Sequence, residues 1–433
     1  MVENDLTERT YYYERWRAIF AGIIETAGTT FLLLIAVRWF SAGAMTKAIV
    51  AGAGSLGLLI SPLVVTLVGV SRMTAARAAA LLAALGAVCF FVMALVPVLP
   101  IFVVGSVLAM AAASASLPLL TQIYQENYPG RIRGRLFSKA IMIRIAMAAV
   151  FSDLVGRLFS DQIAQFRWLL VIFGLAFAFS CICLARCPSR PLPISDDSDG
   201  EREPDRKRRT SFISKVLGGG RSLRVWRWVY GDRVIRNLLI CWMLVGTANL
   251  MMFPMRVEYL ANPRYGLALS VSLIALLTGV IPNVARLTMS LVWGWLFDHI
   301  DFFVMRIMLN TSYALGILVF FMSHDLWSLA MGAVIYGVSN AGGDLAWGLW
   351  ITKFAPASRV ADYMAVHSFL TGFRGVLAPL VAFNLLTHPA MSMPRLGLIG
   401  VGLIMLASLI LVPELRPRAA ARSTAAVVPE ISE

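Results

Sequence analysis

From residue 18 to residue 411 the chain is a succession of apolar stretches, each about the length that spans a bilayer as a helix. Apart from one polar segment at 188–236, the gaps between them are too short to supply the polar surface that a water-soluble fold needs. Composition agrees: 59% of the 433 residues are hydrophobic, 14% are charged and the mean hydropathy is +0.76. Soluble domains carry about 25% charged residues. The sequence therefore excludes an ordinary soluble fold and predicts an all-α integral membrane protein.

Spans are expected at 18–40, 45–70, 75–96, 99–124, 136–159 and 168–185, then at 237–257, 267–296, 303–322, 326–350, 360–386 and 396–411. The third and fourth are parted only by the turn Pro97-Val-Leu-Pro100, where proline disfavours a continuous helix. The first 17 residues are polar and lack the form of a cleavable signal, so an uncleaved first span is expected. This divides the chain into a six-helix bundle at 1–187, a linker at 188–236, a second bundle at 237–415 and a tail at 416–433. The linker contains the acidic run Ser195 to Asp205, the basic run Arg206-Lys-Arg-Arg209 and Gly218-Gly-Gly220. Such a composition cannot bury a core. Its end, Ser222 to Tyr230, interleaves Arg with Trp and is expected to form an interfacial amphipathic helix.

A net charge of +14 raises the question of nucleic-acid binding. The position of the cations answers it. Placing the N-terminus inside puts most of the 38 Lys and Arg in inner segments, and the excess survives when the linker is left out. That is the positive-inside pattern, with both termini cytoplasmic in a cell (inner or plasma) membrane and no nucleic-acid partner. The five cysteines lie in or beside apolar runs, and they imply neither disulfides nor a metal.

The halves echo each other. Gly28-Thr29 through Arg38 has the spacing of Gly246-Thr247 through Arg256, and Tyr124 to Arg131 echoes Trp350 to Arg359. A duplicated six-helix unit is the form taken by transporters whose solute site lies between the halves.

Twelve spans, a charged linker after the sixth and a six-plus-six repeat together resemble the major facilitator superfamily (MFS). The resemblance covers nearly the whole chain, from Ala18 to Glu414. The family's loop motif, Gly-x-x-x-Asp followed by basic residues, is partly matched by Gly294, Asp298 and Arg306. In the first half Gly69, Arg72 and Arg77 remain, but Met73 stands where the aspartate belongs. The resemblance implies two pseudo-symmetric bundles, with the first, fourth, seventh and tenth helices lining a central cavity. It also implies secondary active transport by alternating access, with a gating role for Gly294, Asp298 and Arg306.

Ionisable groups inside spans are costly and mark candidate solute pathways. Glu25, Arg144, Arg286, Asp344, His367 and Arg374 qualify, and Asp153 with Arg157 four residues on predicts a local pair. Tyr336, Asn340, Asp344 and Trp347 share one helical face, and because the resemblance makes the tenth helix cavity-lining, it implies that Asn340 and Asp344 face the cavity. Three embedded arginines opposed by Glu25 and Asp344 suit a small anionic or zwitterionic solute, with the carboxylates as proton acceptors. The expected partners are that solute, protons and the bilayer, for a monomer without cofactors. The alternatives are a transporter-like sensor or assembly component, and an efflux protein for amphipathic compounds. No Gly-x-x-x-x-Gly-Lys-Ser/Thr, His-Glu-x-x-His or Gly-x-Ser-x-Gly is present, so neither a pump nor an enzyme is expected.

Overall fold

The computed structural model describes residues 2–159, 165–189, 231–354 and 360–415. Their architecture is twelve helical rods. In the N-terminal half α1 runs Val2–Thr26, passes through a π turn at Ala27–Phe31 and continues as Leu32–Arg38. It is followed by α2 (Ala44–Val70), α3 (Ala75–Leu95), α4 (Leu99–Ala115 and Leu117–Asn127), α5 (Gly130–Leu158) and α6 (Phe166–Ala185). The C-terminal half opens with α7 (Arg233–Ala261), and α8 runs Val271–Ala275, a π turn at Leu276–Val280, then Ile281–His299. The remainder are α9 (Phe302–Phe321), α10 (Leu326–Phe354), α11 (Val360–Leu385) and α12 (Met393–Leu411). Among the described residues, ten helical segments are long and apolar enough to cross a membrane. The protein is thus a multi-pass membrane protein, and each rod overlaps one expected span.

Local chemistry sets the boundaries. Thr74 Oγ1 accepts from Arg77 N at the start of α3, Asp232 from Val234 N and Ile235 N at α7, and Asp301 from Phe303 N at α9. Each side chain satisfies a backbone donor that the first helical turn leaves open. The turn at Pro97 and Pro100 parts α3 from α4, as the sequence predicts. One boundary differs. α1 begins near residue 2 rather than 18, because Glu14 is pulled into the bundle by Arg17 and Tyr124. The interfacial helix expected at Ser222 to Tyr230, the rest of residues 190–230 and the tail from 416 lie outside the described residues.

The two halves use the same pairing scheme. α1 packs on α5 and α6, α3 on α4 and α6, and α2 on α4; α7 packs on α11 and α12, α9 on α10 and α12, and α8 on α10. Shifting every index by six converts one list into the other. Small residues permit the close approaches: a Cβ on Gly22 would lie 2.9 Å from Met147 Cβ of α5, and one on Gly332 would lie 2.8 Å from Phe320 N of α9. Large apolar side chains such as Leu81, Leu158, Leu291 and Trp327 remain exposed on the outer faces. In water this surface would be untenable, whereas lipid covers it without penalty.

The halves meet along α2 with α11 and along α5 with α8. Both π turns lie at this seam. In each, an i to i+5 bond replaces the α-helical one, from Leu32 N to Ala27 O and from Ile281 N to Leu276 O. Thr30 and Thr278, one from each π turn, bring their hydroxyl oxygens to 3.2 Å across the seam.

Candidate functional site

A cavity of about 360 Å³ opens among α1 to α6, with Leu250 and Phe253 of α7 on its far wall. Its charged lining residues are Arg17, Glu25 and Arg144, accompanied by Thr29, Ser55 and Ser114. Ile24, Leu58, Met110, Leu120 and Phe177 supply an apolar remainder.

Glu25 is the centre of a bridge that crosses the seam. One carboxylate oxygen lies 3.0 Å from Arg144 Nε of α5, in the same half, and the other accepts from Arg286 Nη1 of α8 at 3.0 Å. Arg286 Nε donates at 2.6 Å to Asp344 of α10. Two carboxylates and two guanidiniums thus alternate in one chain, and Arg286 is the link between halves. Its side chain is 14% exposed, against 55% for Asp344. The sequence singled out all four residues, and the fold brings them together.

One end of the molecule is closed by contacts between halves. Lys47 Nζ of α2 donates to Glu258 of α7 at 2.5 Å, with side-chain exposures of 10% and 3%. Arg38 Nη2 donates to Leu269 O at 2.6 Å. The cavity reaches the opposite end, towards Arg17, Leu120 and Leu184. There Arg17 donates to Glu14 at 2.7 Å and to Tyr124 at 3.1 Å, both within the N-terminal half.

Several sequence expectations are corrected by this geometry. Of the three embedded arginines, only Arg144 and Arg286 face Glu25 and Asp344. Arg374 lies inside the C-terminal half, where its Nη1 donates to the carbonyl of Trp242. His367 is buried beside it among the rings of Trp242, Trp347 and Trp350. Arg306, read from the sequence as a basic residue of the gating loop, is fully buried with its guanidinium 3.6 Å above Trp242. It stands four residues into α9, so the helix carries it into the bundle. Gly294 lies in α8 with open space where a Cβ would be; Asp298 is on the same helix, and its side chain lies outside the described residues.

The stripe on α10 divides. Asp344 turns to the seam, while Asn340 accepts from Tyr313 at 3.0 Å and Tyr336 lies under the Arg256 guanidinium at 3.9 Å. Asp153 and Arg157 pair locally at 2.9 Å, as expected. Lys47 and Glu258 were missed because each lies at the end of an apolar run, where a charge reads as interfacial. The signal that marks them is only the 211-residue contact itself.

A twelve-rod, internally repeated helical fold, with charged groups in a largely apolar cavity beside the seam, defines a membrane transporter class. The family model of the Major Facilitator Superfamily matches residues 19–379, and the chain belongs to that family. Among solved structures it is similar to the nucleoside transporter NupG, at 13% identity and a TM-score of 0.69, covering 94% of this chain and 98% of that one. It is also similar to a POT family transporter in complex with a thioalcohol-conjugated peptide (12%, TM-score 0.67, covering 94% and 95%). A third is a D-xylose-proton symporter (14%, TM-score 0.62, covering 95% and 96%). At such identities the likeness is one of fold. Sequence comparison with curated proteins finds no match.

Proposed function

We propose that this protein moves a small polar solute across a cell (inner or plasma) membrane by alternating access, driven by protons, with both termini cytoplasmic. The observation that carries the proposal is the Glu25–Arg286–Asp344 bridge, which ties the halves together beside the cavity. With the N-terminus inside, Lys47–Glu258 closes the outer end and the cavity faces inward. Reversal of the cycle breaks Lys47–Glu258 and closes the halves over the inner end.

The bridge favours a zwitterionic or neutral polar solute over a purely anionic one, because Arg144 and Arg286 already have carboxylates. A solute ammonium and carboxylate would exchange with them charge for charge. Protonating Glu25 removes one of the two carboxylates holding Arg286 and loosens the seam, which couples proton entry to the conformational change. One fold neighbour is a D-xylose-proton symporter. Gly294, Asp298, Asn340, His367 and Arg374 are assigned supporting roles in the moving C-terminal half.

The apolar share of the lining, including Met110, Leu250 and Phe253, favours a solute with an apolar body beside its polar group. It gives weight to a second reading, efflux of amphipathic compounds. Reconstitution with a solute panel and an imposed pH gradient distinguishes the readings. Proton-driven transport predicts accumulation that Glu25→Gln reduces at least tenfold while solute exchange persists. If no solute accumulates and Glu25→Gln alters nothing in cells, the proposal fails.

A further inference from the structure

Away from the seam, α7, α9, α10 and α11 enclose a cluster in which buried donors outnumber acceptors. Arg306 has none of its three guanidinium nitrogens hydrogen-bonded, and Arg374 has its Nε unbonded. The indole nitrogens of Trp242 and Trp350 and Nε2 of His367 are also buried without partners. All five residues are at least nine-tenths buried: Arg306 0%, Trp350 1%, His367 1%, Trp242 5% and Arg374 6% exposed. They are organised about one ring. The Arg306 guanidinium lies 3.6 Å above Trp242, His367 is 5.3 Å from it and Trp350 6.3 Å, and Arg374 donates to its carbonyl.

No carboxylate among the described residues pairs with either arginine. A guanidinium keeps its charge at any accessible pH, so it cannot escape burial by losing a proton. Cation–π contact offsets part of the desolvation of Arg306, but two neighbouring buried cations still lack a counter-charge. Indole N–H groups donate only, and an imidazole between two arginines is best used as a donor as well. Every open valence in the cluster therefore points to the same kind of guest.

We propose that the C-terminal half contains a buried site for one small inorganic anion, of halide or nitrate size, held by Arg306, Arg374, His367, Trp242 and Trp350. The rings of Trp242, Trp350 and His367 are in direct contact, at 5.3 to 6.3 Å between centroids, so a guest larger than a compact ion would have to displace a side chain. None of the five residues lines the seam cavity, so the site is separate from the solute pathway. The proposal does not rest on transport. By bridging Arg306 and Arg374 and offsetting one of their two charges, the anion ties α9 and α11 to α7.

The test uses the full chain purified in detergent, with sodium chloride or nitrate replaced by gluconate at constant ionic strength and pH. The expected result is a saturable rise of several degrees in unfolding temperature with chloride or nitrate, as linkage requires for a ligand of the folded state. Arg306→Gln and Arg374→Gln flatten the response, and Arg286→Gln in the seam retains it. An unfolding temperature indifferent to anion identity, or a full response in the Arg306→Gln/Arg374→Gln double variant, overturns the proposal. Should the variants not fold, iodide quenching of wild-type tryptophan fluorescence decides. A saturable component at low concentration supports the site, and a strictly linear quenching plot refutes it. In both assays a saturable response to acetate equal to that of nitrate means that the site takes carboxylates, which contradicts the size argument.

Discussion

Arg286 shows what a residue can and cannot disclose from sequence alone. An arginine inside an apolar run is conspicuous because burying it is costly, and so is the glutamate of Ile24-Glu25-Thr26. Their partnership across 261 positions is not visible, since pairing depends on how the halves dock. The same limit misassigned Arg374 and Arg306: the cost of burial identifies such residues, while the helix face decides their partners. Lys47 and Glu258 went unnoticed for the converse reason, since a charge near a helix end carries no apparent cost until another helix covers it. Removing one partner of this buried pair is expected to cost about 3–5 kcal/mol, because the other charge is left stranded. Glu258→Gln should thus lower the unfolding temperature, and Lys47→Met with Glu258→Met should recover most of the loss. Equal losses in both variants would show that the pair does not act as a unit. Cys187, just beyond α6, offers a separate check. Burial, with the nearby Glu14 charge, pushes its thiol up to about 12. At pH 8 only about one part in ten thousand is then thiolate, so maleimide should label it far more slowly than an unfolded control. Labelling as fast as in the unfolded control would mean that the α1–α6 contact opens readily.

Among the elements, span positions were the most legible feature, because a membrane helix must be apolar over a fixed length. The two proline-marked ends between α3 and α4 were equally clear. The π turns were not: each pairs Gly with Thr, but Gly246-Thr247 of α7 and Thr371-Gly372 of α11 do the same in ordinary α-helix. Their position at the seam explains them, since one extra residue per turn brings Thr30 within reach of Thr278. Replacing both threonines with valine keeps shape but removes the contact, and it should loosen the closed end more than it destabilises either half. Unchanged access of a thiol reagent to the outer end would contradict that role. The α2–α11 seam depends on closeness instead. A Cβ on Gly372 would lie 2.7 Å from the Leu59 backbone nitrogen, so Gly372→Val must part the two helices. Overpacking of this kind costs about 1–3 kcal/mol, and a lowered unfolding temperature would register it. A variant as stable as wild type would mean that the halves are not in close contact there.

For the whole molecule, the six-plus-six design was legible from two short echoes, and the repeated pairing scheme of the helices supports the same reading. The state of the cycle was not legible, because conformation is a property of contacts between halves rather than of either sequence. In the proposed cycle Lys47–Glu258 holds the outer end shut while Glu25–Arg286–Asp344 sets the response to protons. Rocking of this kind moves the outer ends of α2 and α11 apart. The most direct test is the distribution of distances between spin labels at Met45→Cys and Pro389→Cys in a background without other cysteines, recorded in lipid with Glu25 intact and with Glu25→Gln, which stands for its protonated form. The account predicts two populations, with the longer distance growing in Glu25→Gln and dominating when Glu258 is replaced by Gln. A single distance, unmoved by Glu25→Gln and by Glu258→Gln, would contradict it.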